Sequence, residues 1–585
     1  MKPQPIRPQD CFKSYTFDQD KVCSPIDTVN RFKQRLAEVD LDILQEVRRI
    51  DTGRLDIPVY FSVCGKDAVE TIGNKKQMGK GSTPEQSQAS ACMELAERFS
   101  FFSFKKNPAN FIRDTYARLK AKGEPVLGLN YLLQSVHDEA TDLATLEQLI
   151  ADLPMQWVWA SNLTRGEEVL VPFSWFYAIN EFNGPSAGNT HEEAILQGVS
   201  EIVERHVCAV VTRDRVPAPR IDPASAQDPV ARELIDKFSR HNIELHLNDF
   251  TLDTGIPTVA ALAIDRSTFP AMSEIVYTAG TTPDPEKALI RAITEVAQLA
   301  GDFESKSNYV ASGLPKPLTM EEMDYLTTPS RTVAISELPN LSDNNMRVEI
   351  ERYLAALGRL GMEVLVVNTM HPALQVPAIY TIVPGAHFRE RSMVQNVGLF
   401  VAKLIHEQID DLVEQSRQLI RLREFLPEAY YLEFYLGKNL MAMGQHEQAL
   451  KHFELALALN PEAEDRPYLY SFMGDCLKEM GRYEKALAAL YEGLTHDEER
   501  PDLHNLLGFC HFKLADHETA VLHFARAVEL NPASAIDYAN LGVNLRKLER
   551  FDEAVAHLTI ALELDPALDF ARAHLAELMT DQAAS

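Results

Sequence analysis

Two segments of the sequence carry the same acidic pattern, Glu-x-x-Glu-Arg. The first lies in QSQASACMELAERFSFF as Glu94, Glu97 and Arg98, and the second in HEEAILQGVSEIVERHVCAV as Glu201, Glu204 and Arg205. The spacing predicts a helix for each, and steps of three or four residues then set the carboxylates on one face. In the second segment Glu193 and Gln197 extend the stripe backwards. A third segment, PEKALIRAITEVAQLA, sets Arg291, Glu295 and Gln298 on one helical face. Taken singly, each stripe reads as a solvated helix face, where such ion pairs are worth about 0.3–0.5 kcal/mol. The neighbours argue otherwise, because SACM, AVV and AIT are small and apolar and supply no lysines. If the three helices converge, four or more carboxylates share a cavity and repel one another unless cations sit among them. Magnesium is held by a few carboxylates together with phosphate oxygens, and interleaved Arg98, Arg205 and Arg291 suit a polyphosphate. The spacing therefore predicts a metal–nucleotide site.

The elements that must hold these residues are mixed. DIPVYFSVC, TVAALAI, MEVLVVN and AIYTIVP read as strands, with long helical patterns between them. The loop NGPSAGNT, with Asn189 near its end, reads as the junction into the second acidic helix. No G-x-G-x-x-G fingerprint follows an early strand. Gly79-Lys80-Gly81-Ser82 is the nearest approach to a phosphate loop but lacks the upstream glycine of a P-loop. HExxH, GxSxG and DFG motifs are absent. Trp157 and Trp175 read as core, and Cys92 and Cys208, though on the acidic helices, read as buried fillers.

From about residue 430 the sequence repeats itself. Four copies begin near Tyr430, Pro467, Pro501 and Ile536, and their glycines (Gly437, Gly474, Gly508, Gly542) are 37, 34 and 34 residues apart. A turn position follows each (Gly444, Gly481, Ala515, Glu549), then an alanine (Ala449, Ala486, Ala520, Ala554). Small residues at fixed positions let two helices approach closely, and NP or DP closes three copies at Pro461, Pro532 and Pro566. This pattern resembles the tetratricopeptide repeat. FARAHLAELM reads as the capping helix, EAEDRP as a longer turn, and VAKLIHEQIDDLVEQSRQLIRLREFL as one long helix ahead of the array.

Of 585 residues, 57 are Lys or Arg and 85 Asp or Glu, a formal net charge of −28 that disfavours nucleic acid and anionic lipid. Seven scattered cysteines without a CxxC pair fit a reducing compartment. MKPQPIRPQD lacks the apolar core of a signal peptide, and no apolar run is long enough to span a membrane. These features predict a cytoplasmic protein.

TPEQSQASACMELAERFS, NGPSAGNTHEEAILQGVSEIVERH and ALIRAITEVAQ resemble the three helical motifs of the YcaO family of ATP-dependent enzymes, over about residues 20–405. The resemblance implies an α+β domain over 1–405, a connecting helix over 406–429 and an all-α tetratricopeptide solenoid over 430–580. It implies ATP and Mg2+ as cofactors, with metal contacts at Glu94, Glu97, Glu193, Glu201 and Glu204. Nucleotide contacts fall at Lys21, Thr28, Lys80, Glu94, Glu97, Arg98, Asn189, Arg205, Arg291 and Glu295, with Ser24 an alternative hydroxyl to Thr28. No separate catalytic residue is assigned. The implied chemistry is phosphorylation of a peptide-backbone amide oxygen, leading to a thioamide or an azoline, or support of ribosomal protein S12 methylthiolation. The implied partners are a peptide or protein substrate, a sulfur donor or partner protein, and a second copy of the chain. The chain ends in DQAAS and not in the proline-rich tail common among ring-forming members. The rival reading is a non-catalytic assembly factor acting through its repeats. Convergence of the carboxylates on one enclosed cavity favours the enzyme.

Overall fold

All three acidic stripes lie on long helices whose starts are written in the local sequence. Thr83 caps the first signature helix, Pro84–Lys106, by accepting from the Gln86 N–H, and a proline follows at its first position. Thr190 caps the second, His191–Asp214, which places Glu192 and Glu193 in its first turn, where acids favour the helix dipole. Asp284 accepts from the Glu286 N–H at the head of the third, Pro285–Ala300. The computed structural model describes residues 5–51, 53–73, 77–267, 269, 275–300, 317, 319–388 and 396–584. They form two units, Met1–Val397 and Gly398–Ser585.

The first unit holds fourteen described strands: β1 (Leu44–Arg49), β2 (Val59–Cys64), β3 (Gln77–Lys80), β4 (Ile112–Asp114), β5 (Met155–Asn162), β6 (Glu167–Pro172), β7 (Pro185–Ala187), β8 (Arg220–Ile221), β9 (Glu244–Asp249), β10 (Thr258–Ile264), β11 (Val276–Thr281), β12 (Thr332–Val333), β13 (Leu365–Asn368) and β14 (Ala378–Ile382). The four stretches read as strands in the sequence contain β2, β10, β13 and β14. Three sheets result, in the orders β1-β2-β3, β11-β10-β9-β8-β12 and β4-β5-β13-β14-β7, with β6 added beside β5. β1-β2-β3 is antiparallel throughout.

Each signature helix is pressed against a different sheet, and a glycine permits each approach. A Cβ on Gly79 of β3 would lie 2.1 Å from the Ser87 carbonyl of the first helix. One on Gly280 of β11 would lie 2.4 Å from the Ala288 carbonyl of the third. In the second helix itself, a Cβ on Gly198 would meet the Thr381 hydroxyl of β14 at 2.4 Å. At Gly79 and Gly280 backbone thus rests almost directly on backbone, and at Gly198 the helix backbone rests on a strand hydroxyl. Trp157 and Trp175 are fully buried, their indole N–H groups donating to the Asp114 carbonyl and the Ser135 hydroxyl.

In the second unit the repeats form four helix pairs: Tyr430–Ala442 with His446–Ala458, Arg466–Glu479 with Tyr483–His496, Pro501–Lys513 with His517–Leu530, and Ala535–Lys547 with Phe551–Leu564. Asp569–Ala584 closes the array. Every repeat glycine receives an apolar side chain of the paired helix. Added Cβ atoms would meet Phe453, Leu490, Phe524 and Leu558 at 2.6, 2.3, 2.9 and 2.7 Å. All four turn positions adopt the left-handed conformation, including Ala515 at φ 62° and Glu549 at φ 61°. EAEDRP contains a single 3-10 turn, Ala463–Asp465. The segment ahead of the array differs from the single long helix read from its sequence. It forms two helices, Val397–Gln408 and Leu412–Phe425, grouped with the array from Gly398 onwards. Asp411 caps the second of them, and the Gln415 amide donates to the carbonyls of His406 and Ile409 that the break exposes.

Candidate active site

The three stripes face one cavity of about 270 Å3. Glu94, Glu97 and Arg98 come from the first helix; Glu193, Gln197, Glu201, Glu204 and Arg205 from the second; Arg291 and Glu295 from the third. Lys21, Thr28, Lys80 and Asn189 complete the set, so every residue named from sequence except the alternative Ser24 lies on this cavity. Ser24 does not line it. Its hydroxyl caps the helix Pro25–Glu38, leaving Thr28 one turn on to face the site.

The acids differ in their partners. Lys80 at the end of β3 binds Glu295 directly. Arg98 Nε lies 3.5 Å from Glu97, and Arg291 Nε 3.6 Å from Glu204. The Glu204 carboxylate also accepts from the Thr281 N–H at 3.2 Å. Glu193 has both oxygens engaged, Oε1 by the Val22 N–H at 2.6 Å and Oε2 by the Asn189 backbone and side-chain N–H groups at 2.8 and 2.9 Å. Asn189 donates on to the Thr28 hydroxyl. Glu193 therefore ties the N-terminal arm to the loop before its own helix.

Burial and crowding set the protonation of this group. Burial lifts Glu97 well above the usual carboxylate range, and Glu201 and Glu94 add to the lift against the opposing pull of Arg98. Burial and then Glu295 push Glu204 up to about 7. Glu94 is raised as well, chiefly by burial. Glu295 goes the other way: burial would raise it, but Lys80, Arg205 and Arg291 outweigh burial and keep it ionised. Burial alone would lower Arg205, yet Glu204, Glu201 and Glu295 hold its pKa above the ordinary value. Cys92 is fully buried, and burial lifts its thiol to about 11, as suits a packing residue.

Two observations test whether a magnesium nucleotide fits. Arg205 and Arg291 line the cavity, and the Nε–H group of each is buried without a hydrogen-bond partner, a donor still to be satisfied. Among the described residues no three Asp, Glu, His or Cys side chains are gathered closely enough to hold a metal by themselves. Mg2+ is characteristically bound by one or two carboxylates, water and phosphate, so the donors fit a magnesium that arrives with its nucleotide.

Sequence reading missed part of the wall. Gln19, Ser82, Gln86, Ser90 and Thr294 also line the cavity. Behind Gln19, the arm is anchored by fully buried Asp18, which accepts from the Ser82 and Tyr15 hydroxyls at 2.6 and 2.9 Å. Lys13 ion-pairs with Asp20 and with buried Glu349. Ser82 and Glu349 are far from the arm in the chain, and the segment TFDQDKVC carries no local pattern that announces them.

The architecture is that of an ATP- and Mg2+-dependent enzyme domain carrying a repeat array. The profile described as YcaO cyclodehydratase, ATP- and Mg2+-binding, matches residues 78–387, and the chain belongs to the YcaO family. Tetratricopeptide-repeat profiles match residues 428–499, 473–535 and 538–568. An uncharacterized protein of Methanothermobacter thermautotrophicus is 29% identical over 386 residues, covering 62% of this chain and 93% of its own length. The ribosomal protein S12 methylthiotransferase accessory factor YcaO of Escherichia coli is 26% identical over 305 residues, covering 49% of this chain and 50% of its own. A solved heterocyclase in complex with substrate and cofactor shares the fold, with a TM-score of 0.54 and 22% identity over 66% of this chain and 55% of its own. The match thus spans about half the length of the last two proteins. Among the described residues no helix is long and apolar enough to cross a membrane.

Proposed function

We propose that this chain activates a backbone amide of a peptide or protein substrate by phosphorylating its oxygen, and that the repeats recruit that substrate or a partner protein. The observation that carries this reading is the convergence of Glu94, Glu97, Glu201, Glu204 and Glu295 with Arg98, Arg205 and Arg291 on one cavity. Bound Mg·ATP supplies the phosphoryl group that turns an amide oxygen into a leaving group. Glu94, Glu97, Glu193, Glu201 and Glu204 would supply the carboxylates for magnesium, one or two to an ion, with phosphate oxygens and water completing each shell. Arg205 and Arg291 offer buried N–H donors to the phosphates, and Lys80 with Glu295 sets the local charge. Lys21, Thr28 and Asn189 also line the cavity, with the Asn189 amide donating to the Thr28 hydroxyl.

A neighbouring side chain as nucleophile gives an azoline with loss of water. An external sulfur donor gives a thioamide with replacement of oxygen. Support of S12 methylthiolation is the third outcome, on the likeness to the Escherichia coli accessory factor. Peptides captured by the full chain and incubated with Mg·ATP, with and without a sulfide donor, separate these by mass spectrometry. A loss of water marks the azoline and an oxygen-to-sulfur gain marks the thioamide. ATP-dependent capture with neither change would favour the accessory role.

A further inference from the structure

Three histidines of the third repeat meet a tyrosine of the second. Tyr491 lies on Tyr483–His496, buried His504 and His511 on Pro501–Lys513, and His523 on His517–Leu530. Five contacts of 2.9–3.1 Å join them end to end. They run from the Glu498 carbonyl to His504 Nε2, then from His504 Nδ1 to His523 Nδ1. From His523 Nε2 the chain passes through the Tyr491 hydroxyl to His511 Nε2, and it ends with His511 Nδ1 at Asp516 Oδ2.

Both ends of this chain only accept. One is a backbone carbonyl, and the other is a carboxylate kept below its ordinary range, chiefly by hydrogen bonds from Thr519. Five hydrogen bonds between two acceptors need five protons, whereas three neutral imidazoles and one phenol carry four. In a neutral chain two lone pairs must therefore face one another across one of the gaps. One further proton, completing an imidazolium, closes every gap. Burial and then His504 and His511 push His523 down to about 4, which leaves the charge to the end beside Asp516. Arg526, one turn beyond His523, is taken up by Glu499 and Glu529.

We propose that this histidine–tyrosine chain stores one proton at neutral pH, and that the stored proton clasps the second repeat to the third. The clasp is independent of the nucleotide cavity, which lies in the other unit. Two substitutions remove the need for the proton. Tyr491→Phe deletes the bridge, and the halves left, His504 with His523 and His511 with Asp516, are complete with neutral imidazoles. Asp516→Asn puts an amide N–H in place of Oδ2. That group donates to His511 Nδ1 and supplies the fifth proton, while the amide oxygen still accepts from Thr519.

The test is denaturant unfolding of the full chain between about pH 6.5 and about pH 8.5, for wild type and both variants. Helical circular dichroism follows both units, and tryptophan fluorescence follows the N-terminal one alone, because Trp157, Trp159 and Trp175 all lie there. Unfolded histidines have shed their protons above about pH 6.5, so stability held by the stored proton is present below that value and lost as pH rises. In wild type the unfolding constant of the array should therefore rise by up to about tenfold per pH unit, the slope of one proton. Tyr491→Phe and Asp516→Asn should both lack that slope, and Tyr491→Leu removes the same hydroxyl should Tyr491→Phe not fold. A wild-type array indifferent to pH over this range, or one slope shared by wild type and the variants, would overturn the clasp. Flattening in Asp516→Asn alone would mark an ordinary His511–Asp516 ion pair and overturn it equally.

Discussion

The two units of this chain treat buried groups in opposite ways. In Met1–Val397 the buried centre is a set of acids and arginines whose demands conflict, with Glu97 and Glu204 raised by burial while Glu295 beside them is held ionised. In the array, small-residue spacing and turn conformation recur in every copy, with a left-handed turn position at Gly444, Gly481, Ala515 and Glu549, though only the first two are the glycines that conformation favours. Natural sequences are locally consistent where only folding is at stake and inconsistent where chemistry requires it. The contrast points to where the chemistry lies: the array gathers no comparable set of acids and arginines among the described residues, and the N-terminal unit holds a crowded one whose charges a magnesium-bound phosphate chain would help to balance.

The largest separation should come from Arg205→Met. It leaves Glu204, Glu201 and Glu295 without their shared cation and removes a buried donor, so Mg·ATP affinity should fall by about a hundredfold or more, while the helical melting of the array is unchanged. The reciprocal change is Gly474→Val, whose side chain would meet Leu490 at 2.3 Å from its first carbon. It should destabilise the repeats by about 1–3 kcal/mol, read by denaturant unfolding, and leave nucleotide affinity alone. Loss of nucleotide binding in Gly474→Val, or of array stability in Arg205→Met, would erase the division.

Acidity should sharpen the contrast, because the two units respond with opposite sign. Burial and then Glu295 raise Glu204 in the folded state from 4.5 to about 7. Its contribution to stability is complete below pH 4.5 and disappears as pH rises through about 7, so the nucleotide-free N-terminal unit weakens on that side. Magnesium binding must displace the same proton, and calorimetry in buffers of different ionisation enthalpy should detect proton release at pH 6 that shrinks by pH 8. In the array, His523 is lowered from 6.5 to about 4 by burial and then by His504 and His511. Its contribution is complete above pH 6.5 and is lost as pH falls through about 4, so the array should soften on acidification. The smallest effect should be that of a chain ending at residue 396, which retains every residue on the cavity. Its Mg·ATP affinity should lie within about threefold of the intact protein, while capture of a protein substrate weakens.

What was legible in the sequence follows the same line. Repeats and acidic stripes declare themselves because their information is local, in steps of three and four along one helix or in a glycine returning at fixed intervals. The break at Asp411 was also local, an acid capping a new helix within IDDLVEQ, but the apolar periodicity on both sides masks it. The arm was not legible. Asp18 meets Ser82 across 64 residues and Val22 meets Glu193 across 171, and no pattern within TFDQDKVC encodes either. Gln197 and Gln298 stood in the stripes but carry no charge to draw notice. Only the fold shows that Gln197 holds Arg291 and that Gln298 donates to the Met78 carbonyl.

The central claim is that these helices build a site for ATP that exists only with magnesium. Calorimetric titration of ATP into the full chain, with magnesium and with a chelator, beside Glu201→Ala, tests it most directly. Glu201 faces the cavity between Glu97 and Arg205, and its loss leaves a cation underliganded next to the triphosphate. Binding should appear with magnesium, vanish with the chelator, and be absent from a folded Glu201→Ala protein. ATP binding of equal strength without magnesium, or undiminished in Glu201→Ala, would contradict the account.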